Sequence, residues 1–171
     1  DIANLSVLGY DPEKYYTGRS PLEAASMGIA LTDTDVAFRT NLVTLSHAEN
    51  YEDRIMLDHS SDEITTEEAR LLIHDVNKHF KNDFLAFHAG VSYRHCLLWK
   101  EGPLGFEFTA PHDILEKKIA SYLPRGKHSK IILDLMEKSI GFLSKHQVNL
   151  DRISRGLRPG NSIWIWGEGK K

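Results

Sequence analysis

Asp35-Val-Ala-Phe-Arg-Thr-Asn-Leu-Val-Thr-Leu45 is the stretch on which the fold turns. It is rich in β-branched and apolar residues and reads as a β-strand. Side chains alternate between the faces of a strand, so Arg39 and Asn41, which alternate with Phe38 and Leu42, must share one face. A guanidinium and a carboxamide in so apolar a run are costly unless each finds a partner. Arg54-Ile-Met-Leu-Asp58 reads as a shorter antiparallel partner, reached through the polar link Ser46 to Asp53.

Outward from this pair, the clearest helix runs from Thr66 to Phe80. Thr65-Thr-Glu-Glu68 forms a capping box, in which the Thr65 hydroxyl and the Glu68 carboxylate satisfy free amides at the helix start. Ala69, Leu72, Ile73, Val76 and Phe80 then define one buried face. A second long helix is predicted from Ser129 to Lys145, with Ile132, Leu135, Met136 and Leu143 inward, and a short one from Pro21 to Met27, ended by Gly28. Asp1 to Leu8 reads as one or two helical turns. Phe84 to His88 and Val91 to Lys100 read as strands flanking Ala89-Gly90, with further strands at Phe106 to Thr109 and Ile163 to Trp166. Strands and helices without strict βαβ alternation predict an α+β fold, a mixed or antiparallel sheet covered by helices.

A chain of 171 residues with 41% hydrophobic and 26% charged residues fits one globular domain with a core. The formal net charge of −3 gives no general pull toward nucleic acid or an anionic membrane. No apolar run is long enough for a transmembrane helix. The one cysteine, Cys96, sits in an apolar run and reads as a buried small hydrophobe. The chain opens at Asp1 without an initiator Met and stops shortly after Trp166, which reads as a piece from inside a larger enzyme.

Other polar residues interrupt apolar runs. Arg94 and His95 fall within Val91 to Trp99, His112-Asp113 follows Pro111 at a turn, and Asn161-Ser162 precede the last strand. An arginine fork matches carboxylate or phosphate at two points, and Asn adds neutral donors and acceptors. Together they suit a small anionic, hydroxylated ligand, although each also fits a solvated sheet face or an internal ion pair. No metal site is expected in the chain. Asp58-His59 stands alone, His74 and His79 lie five residues apart, where one helical face needs three or four, and no HExxH or CxxC occurs. Glycine-rich phosphate loops are missing as well.

Six segments, in order, carry a resemblance: Asp1-Ile-Ala-Asn-Leu-Ser-Val-Leu-Gly-Tyr-Asp-Pro12, Tyr16-Thr-Gly-Arg-Ser-Pro-Leu-Glu-Ala24, Asp35-Val-Ala-Phe-Arg-Thr-Asn41, Gly90-Val-Ser-Tyr-Arg-His95, Thr109-Ala-Pro-His-Asp-Ile114 and Asn161-Ser-Ile-Trp-Ile-Trp-Gly167. Over nearly its whole length the chain resembles cofactor-independent phosphoglycerate mutase, in its archaeal-type branch within the alkaline phosphatase superfamily. The resemblance implies a two-part enzyme. Its core carries two divalent metals, manganese or magnesium, and a serine nucleophile in a Gly-Ser-Asp motif whose Asp would be Asp1. Residues 1–171 would be the inserted, substrate-closing domain, with short flanks at 1–12 and 161–171 leading to that core and no nucleophile of its own. The implied reaction interconverts 3-phosphoglycerate and 2-phosphoglycerate through a phosphoserine. On this resemblance Arg39 and Arg94 contact the anionic substrate, Asn41 and Asn161 orient hydroxyls, and His95, His112 and Asp113 position them or relay protons. Arg19 would pin the hinge, and Trp164 and Trp166 would pack. The implied partners are phosphoglycerate and the core domain, in the cytoplasm, without nucleic acid or membrane.

Ser60-Ser-Asp-Glu-Ile64 is more acidic than the Ala-Gly-like turn the resemblance leads one to expect, and Thr40 and Ala110 are milder departures. Two alternatives stand beside the mutase reading: the closing domain of a related phosphotransferase such as a homoserine kinase, and a non-catalytic ligand-binding module.

Overall fold

The computed structural model describes residues 20–171, so the expectations for Asp1 to Leu8, for Arg19 and for the 1–12 flank lie outside the described residues. The axis is strand β1 (Val36–Leu45), nine of whose ten residues are buried, as a strand paired on both edges and covered on both faces should be. The β1 residues Val36 to Asn41 pair antiparallel with strand Arg94–Trp99, and the same stretch pairs antiparallel with strand Ser162–Lys170. The short strand β2 (Met56–Asp58) joins the end of β1 through Thr44↔Asp58 and Leu45↔Met56, as expected. Strand β3 (Leu85–Val91) pairs with β4 (Arg94–Trp99), and β5 (Ser162–Lys170) completes a five-stranded antiparallel sheet.

Helix α1 (Ser20–Ser26) covers one face. Its Ala24 forms a small apolar cluster with Ala37 and Cys96. The main core lies on the other face, where α2 (Thr66–Phe80) packs on β3 and α3 (Ser129–Leu143) on β5. The capping box of α2 is formed: Thr65 Oγ1 accepts from the Glu68 amide at 3.1 Å. Phe38 meets Phe106 and Phe108 edge-on, at centroid distances of 5.5 and 6.0 Å. Residues 106–109, expected as a strand, instead lay these rings over the sheet and make only an isolated bridge, Glu107↔Arg125.

Three further differences have local causes. The β3–β4 turn lies at Ser92-Tyr93 and not at Ala89-Gly90. Ser92 adopts φ +56°, its amide donating to Thr66 Oγ1 at 3.0 Å and its hydroxyl to the Ile64 carbonyl at 2.6 Å. Strand β5 runs well beyond Ile163 to Trp166, so the segment read as an outgoing flank is also a strand of the sheet. Helix α4 (Gln147–Ser154) was not anticipated, because its buried positions are Asn149 and Arg152 while Leu150 and Ile153 are exposed.

Arg152 is 2% exposed and ties three elements together. Its Nε donates to the Arg158 carbonyl at 2.9 Å, Nη1 to Glu68 Oε1 at 2.8 Å and Nη2 to the Ser61 carbonyl at 2.6 Å. Burial pushes the Glu68 carboxyl up, but the Thr65 hydrogen bonds and the Arg152 and Arg155 charges outweigh it and hold the pKa below the usual 4.5. A carboxylate held low contributes stability that is full above its unfolded pKa and is lost as pH falls through the folded value. Replacing Arg152 by Ala should therefore cost about 3 kcal/mol at neutral pH, because Glu68 and two carbonyls lose a buried partner. It should also weaken the acid dependence of stability below about pH 4.5. Chemical denaturation of both proteins from pH 7 to pH 3 checks each expectation.

Candidate functional site

An open cleft of about 520 Å³ lies on the sheet face that α1 covers. Register builds its floor. Directly paired residues of antiparallel strands share a face, and Arg39 pairs with Trp166 of β5 while Asn41 pairs with Arg94 of β4. His59, from the loop after β2, and Tyr93, from the β3–β4 turn, form one wall. The short 3₁₀ turn Pro111–Asp113 adds His112 and Asp113, with His112 beside His59. The buried Trp164 anchors the approach to this turn, its indole N–H donating to the Thr109 carbonyl at 2.8 Å.

Each polar group on the floor is held. The Arg39 guanidinium lies 4.3 Å from the Trp166 ring centroid. Its Nη2 donates to Glu23 Oε1 at 2.5 Å and its Nε to both Glu23 carboxylate oxygens at 3.1 and 3.2 Å. The Trp166 indole N–H donates to Asn41 Oδ1 at 3.1 Å, and Asn41 Nδ2 donates to the His59 carbonyl at 3.2 Å. These two bonds fix which way the amide points. Arg94 is exposed, donates to the Tyr93 hydroxyl at 2.7 Å and lies 4.4 Å from that ring's centroid. Among the described residues no carboxylate pairs with it. The imidazole of His59 lies edge-on to Tyr93 and His112, at 5.6 and 6.0 Å, and His112 is edge-on to Trp166 at 5.7 Å.

His95 also lines the cleft, although its register partner is Thr40, on the opposite side of the strand from Asn41. Its Nδ1 accepts the Gly90 amide at 2.9 Å, which puts the proton of the neutral ring on Nε2. That nitrogen and Thr40 Oγ1 are buried with no partner among the described residues. Burial pushes the ring pKa down to about 4, so near neutral pH His95 is a neutral donor.

Arg39, Asn41, Arg94, His95, His112 and Asp113 thus all converge on one cleft. Asn161 does not line it. Its Oδ1 accepts from the Leu45 amide and its Nδ2 donates to the Leu45 carbonyl, both at 2.9 Å, so its amide extends the β1–β5 pairing. Trp166, expected to pack, lines the cleft, as do Glu23, His59 and Tyr93. The period of two that put Ile163 and Ile165 in the core implied a different face for Trp166; what sequence lacked was the register that sets this ring beside Arg39. The acidic turn after His59 has its own logic. Ser61, Asp62 and Glu63 adopt φ of +51, +55 and +50°, and the Asp62 carboxylate accepts the Arg158 amide at 2.7 Å. Burial raises the Asp58 pKa, but hydrogen bonds from Ser60, Asp62 and Arg158 outweigh it and hold the carboxyl below 3.8. Among the described residues no three His, Cys, Asp or Glu side chains group to hold a metal ion, and His74 and His79 form no such site.

The sequence profile described as 2,3-bisphosphoglycerate-independent phosphoglycerate mutase matches residues 1–149. A protein of that name from Methanosarcina barkeri is 52% identical over 171 residues, covering 99% of this chain and 41% of the relative. A second, from Methanosarcina mazei, is 47% identical with the same coverage. The solved structure of the cofactor-independent phosphoglycerate mutase from Thermoplasma acidophilum superposes with a TM-score of 0.70 at 25% identity, over 98% of this chain and 45% of that one. The chain therefore spans about two fifths of the length of the curated relatives it matches.

Two predictions follow from this geometry. A Cβ built on Gly167, where φ is +63°, would lie 2.8 Å from Arg39 Cδ. Gly167→Ala should cost about 1–2 kcal/mol through strain and shift the Trp166 fluorescence as Arg39 leaves the ring, read in one denaturation series. In an NMR titration the His95 ring should remain neutral down to about pH 4. Because its folded pKa lies below the unfolded 6.5, stability should fall as pH drops from 6.5 toward 4 and then level off for this group.

Proposed function

The chain belongs to the 2,3-bisphosphoglycerate-independent phosphoglycerate mutase family, and from that premise we propose that it binds and encloses phosphoglycerate while the remainder of the protein performs phosphoryl transfer. The observation that carries this reading is Arg94, an exposed guanidinium without a carboxylate partner among the described residues, in a cleft whose other charged groups are the paired Arg39 and Glu23 and the Asp113 carboxylate, 3.6 Å from His112 Nε2. Such a cleft suits a small ligand with one anionic end and adjacent hydroxyls.

In this reading Arg94 receives the carboxylate, Asn41 offers a donor to a hydroxyl oxygen, His95 supports the floor from beneath through the Gly90 amide, and His112 and Asp113 face the substrate from the 3₁₀ turn. The aromatic rings of Tyr93 and Trp166 exclude water from the reacting phosphate when the cleft closes, which limits loss of the phosphoryl group to hydrolysis. In this reading the two divalent metals and the serine nucleophile of the resemblance would be supplied by the remainder of the protein. The reading sets the protein in glycolysis or gluconeogenesis, in the cytoplasm. Among the described residues no helix is long and apolar enough to cross a membrane.

The test is a mutase assay on the whole protein, with manganese and 3-phosphoglycerate and without bisphosphoglycerate. Formation of 2-phosphoglycerate is expected. A folded, metal-loaded protein that gives none overturns the reading, and homoserine with ATP becomes the substrate pair to try. Arg94→Ala should lower kcat/KM at least about tenfold, the scale of a lost charge-assisted contact, with an unchanged melting temperature.

A further inference from the structure

The two arginines of the cleft differ in electrical state. Arg39 is compensated: Glu23 of α1 takes its Nε and Nη2 donors, both side chains are partly buried, and the stacked Trp166 ring holds the guanidinium in place. Among the described residues Arg94 meets the Tyr93 ring and hydroxyl and forms no ion pair, although the Asp113 carboxylate lines the same cleft. We infer that Glu23 orients the ligand: by neutralising Arg39 it leaves Arg94 to receive the anionic end and makes the Arg39–Glu23 pair a seat for an uncharged, hydroxyl-bearing end. This deepens the reading of the cleft as a phosphoglycerate site and rests on it.

The chemistry of the pair supports the assignment. Among the described residues Arg39 Nη1 has no partner, so donors remain on the guanidinium beside the acceptor oxygens of the carboxylate. A hydroxyl both donates and accepts, and therefore satisfies the two groups at once. A second carboxylate there would gain from Arg39 but would stand against Glu23, and a like charge at that distance rejects the wrong ligand as strongly as the arginine attracts it. The arrangement also fixes direction. Arg94 stands on β4 and Arg39 lies two residues from Asn41, the strand partner of Arg94, so the charged and uncharged ends of a bound ligand are separated along the sheet. Glu23 is thus a positioning residue that acts through Arg39.

The test measures, by calorimetry on the whole protein, the affinities for D-glycerate, with one carboxylate and two hydroxyls, and for tartronate, with two carboxylates and one hydroxyl. The wild-type protein should prefer glycerate. Glu23→Gln keeps the shape and removes the charge, and it should move the tartronate-to-glycerate affinity ratio by about tenfold toward tartronate; Glu23→Asp should restore the wild-type ratio. In an Arg94→Ala background, Glu23→Gln should recover part of the lost glycerate affinity, because Arg39 then becomes the uncompensated cation. A merely structural Glu23 would do neither, and melting curves report on folding separately. If the wild-type protein binds glycerate and turns over 3-phosphoglycerate while the ratio stays fixed in Glu23→Gln, the role of Glu23 is lost and the functional reading survives. If it binds neither anion and shows no mutase activity, both are overturned.

Discussion

The register of β1 between β4 and β5 is the constraint on which the rest depends. Strand side chains alternate, so one register places Phe38, with Leu97 of β4 and Ile165 of β5, in the core and Arg39, Asn41 and Trp166 in the cleft. A slip of one residue would drive the Arg39 guanidinium among the aromatic rings around Phe38 and turn Phe38 toward solvent. Burial of the apolar set thus specifies the polar set. The floor of the cleft is the reverse side of the core and needs no separate determinant to assemble.

A second set of contacts holds the walls to that floor. Three successive left-handed residues at Ser61 to Glu63 are unfavourable locally and persist only because the surroundings over-determine them. Arg152 binds the Ser61 carbonyl, Asp62 binds the Arg158 amide, and the Ser61 hydroxyl donates to the Leu42 carbonyl of β1 at 2.9 Å. The turn that follows His59 is therefore clamped from α4 and from the central strand together. His59, whose carbonyl accepts from Asn41, is fixed by elements far from it in sequence.

Legibility followed the kind of signal each element carries. The capping box and apolar stripe of α2 are local and periodic, and its bounds were readable from Thr66 to Phe80. Strand β1 was readable because β-branched and apolar residues dominate it. Helix α4 was not, since it buries an asparagine that bonds the Gly160 carbonyl and amide and an arginine that bonds Glu68, which inverts the pattern sequence reading relies on. The same limit governs the site. That Arg39 and Asn41 share a face is a property of one strand, whereas the compensation of Arg39 by Glu23 joins residues on separate elements, and no spacing rule reaches it. Asn161 misled because its polarity, which read as a ligand contact, serves backbone groups of Leu45 that lie in the sheet.

The chemistry of the lining reconciles the proposed anion site with a chain of net charge −3. Charge matters at the scale of a few ångströms in a partly enclosed cleft, where Arg94 has no carboxylate partner among the described residues, and the sum over the surface is largely screened beyond about 10 Å. What the lining lacks is equally informative. Among the described residues it contains no serine, threonine, lysine or cysteine. The one thiol, Cys96, is buried beneath α1, and that burial pushes its pKa up to about 12, so it is not a thiolate near neutral pH. In the proposed reading Arg94 and Asn41 orient the ligand, and Tyr93 and Trp166 shield it. That composition fits the proposed role in binding and water exclusion, in which the phosphoryl-transfer groups come from the remainder of the protein.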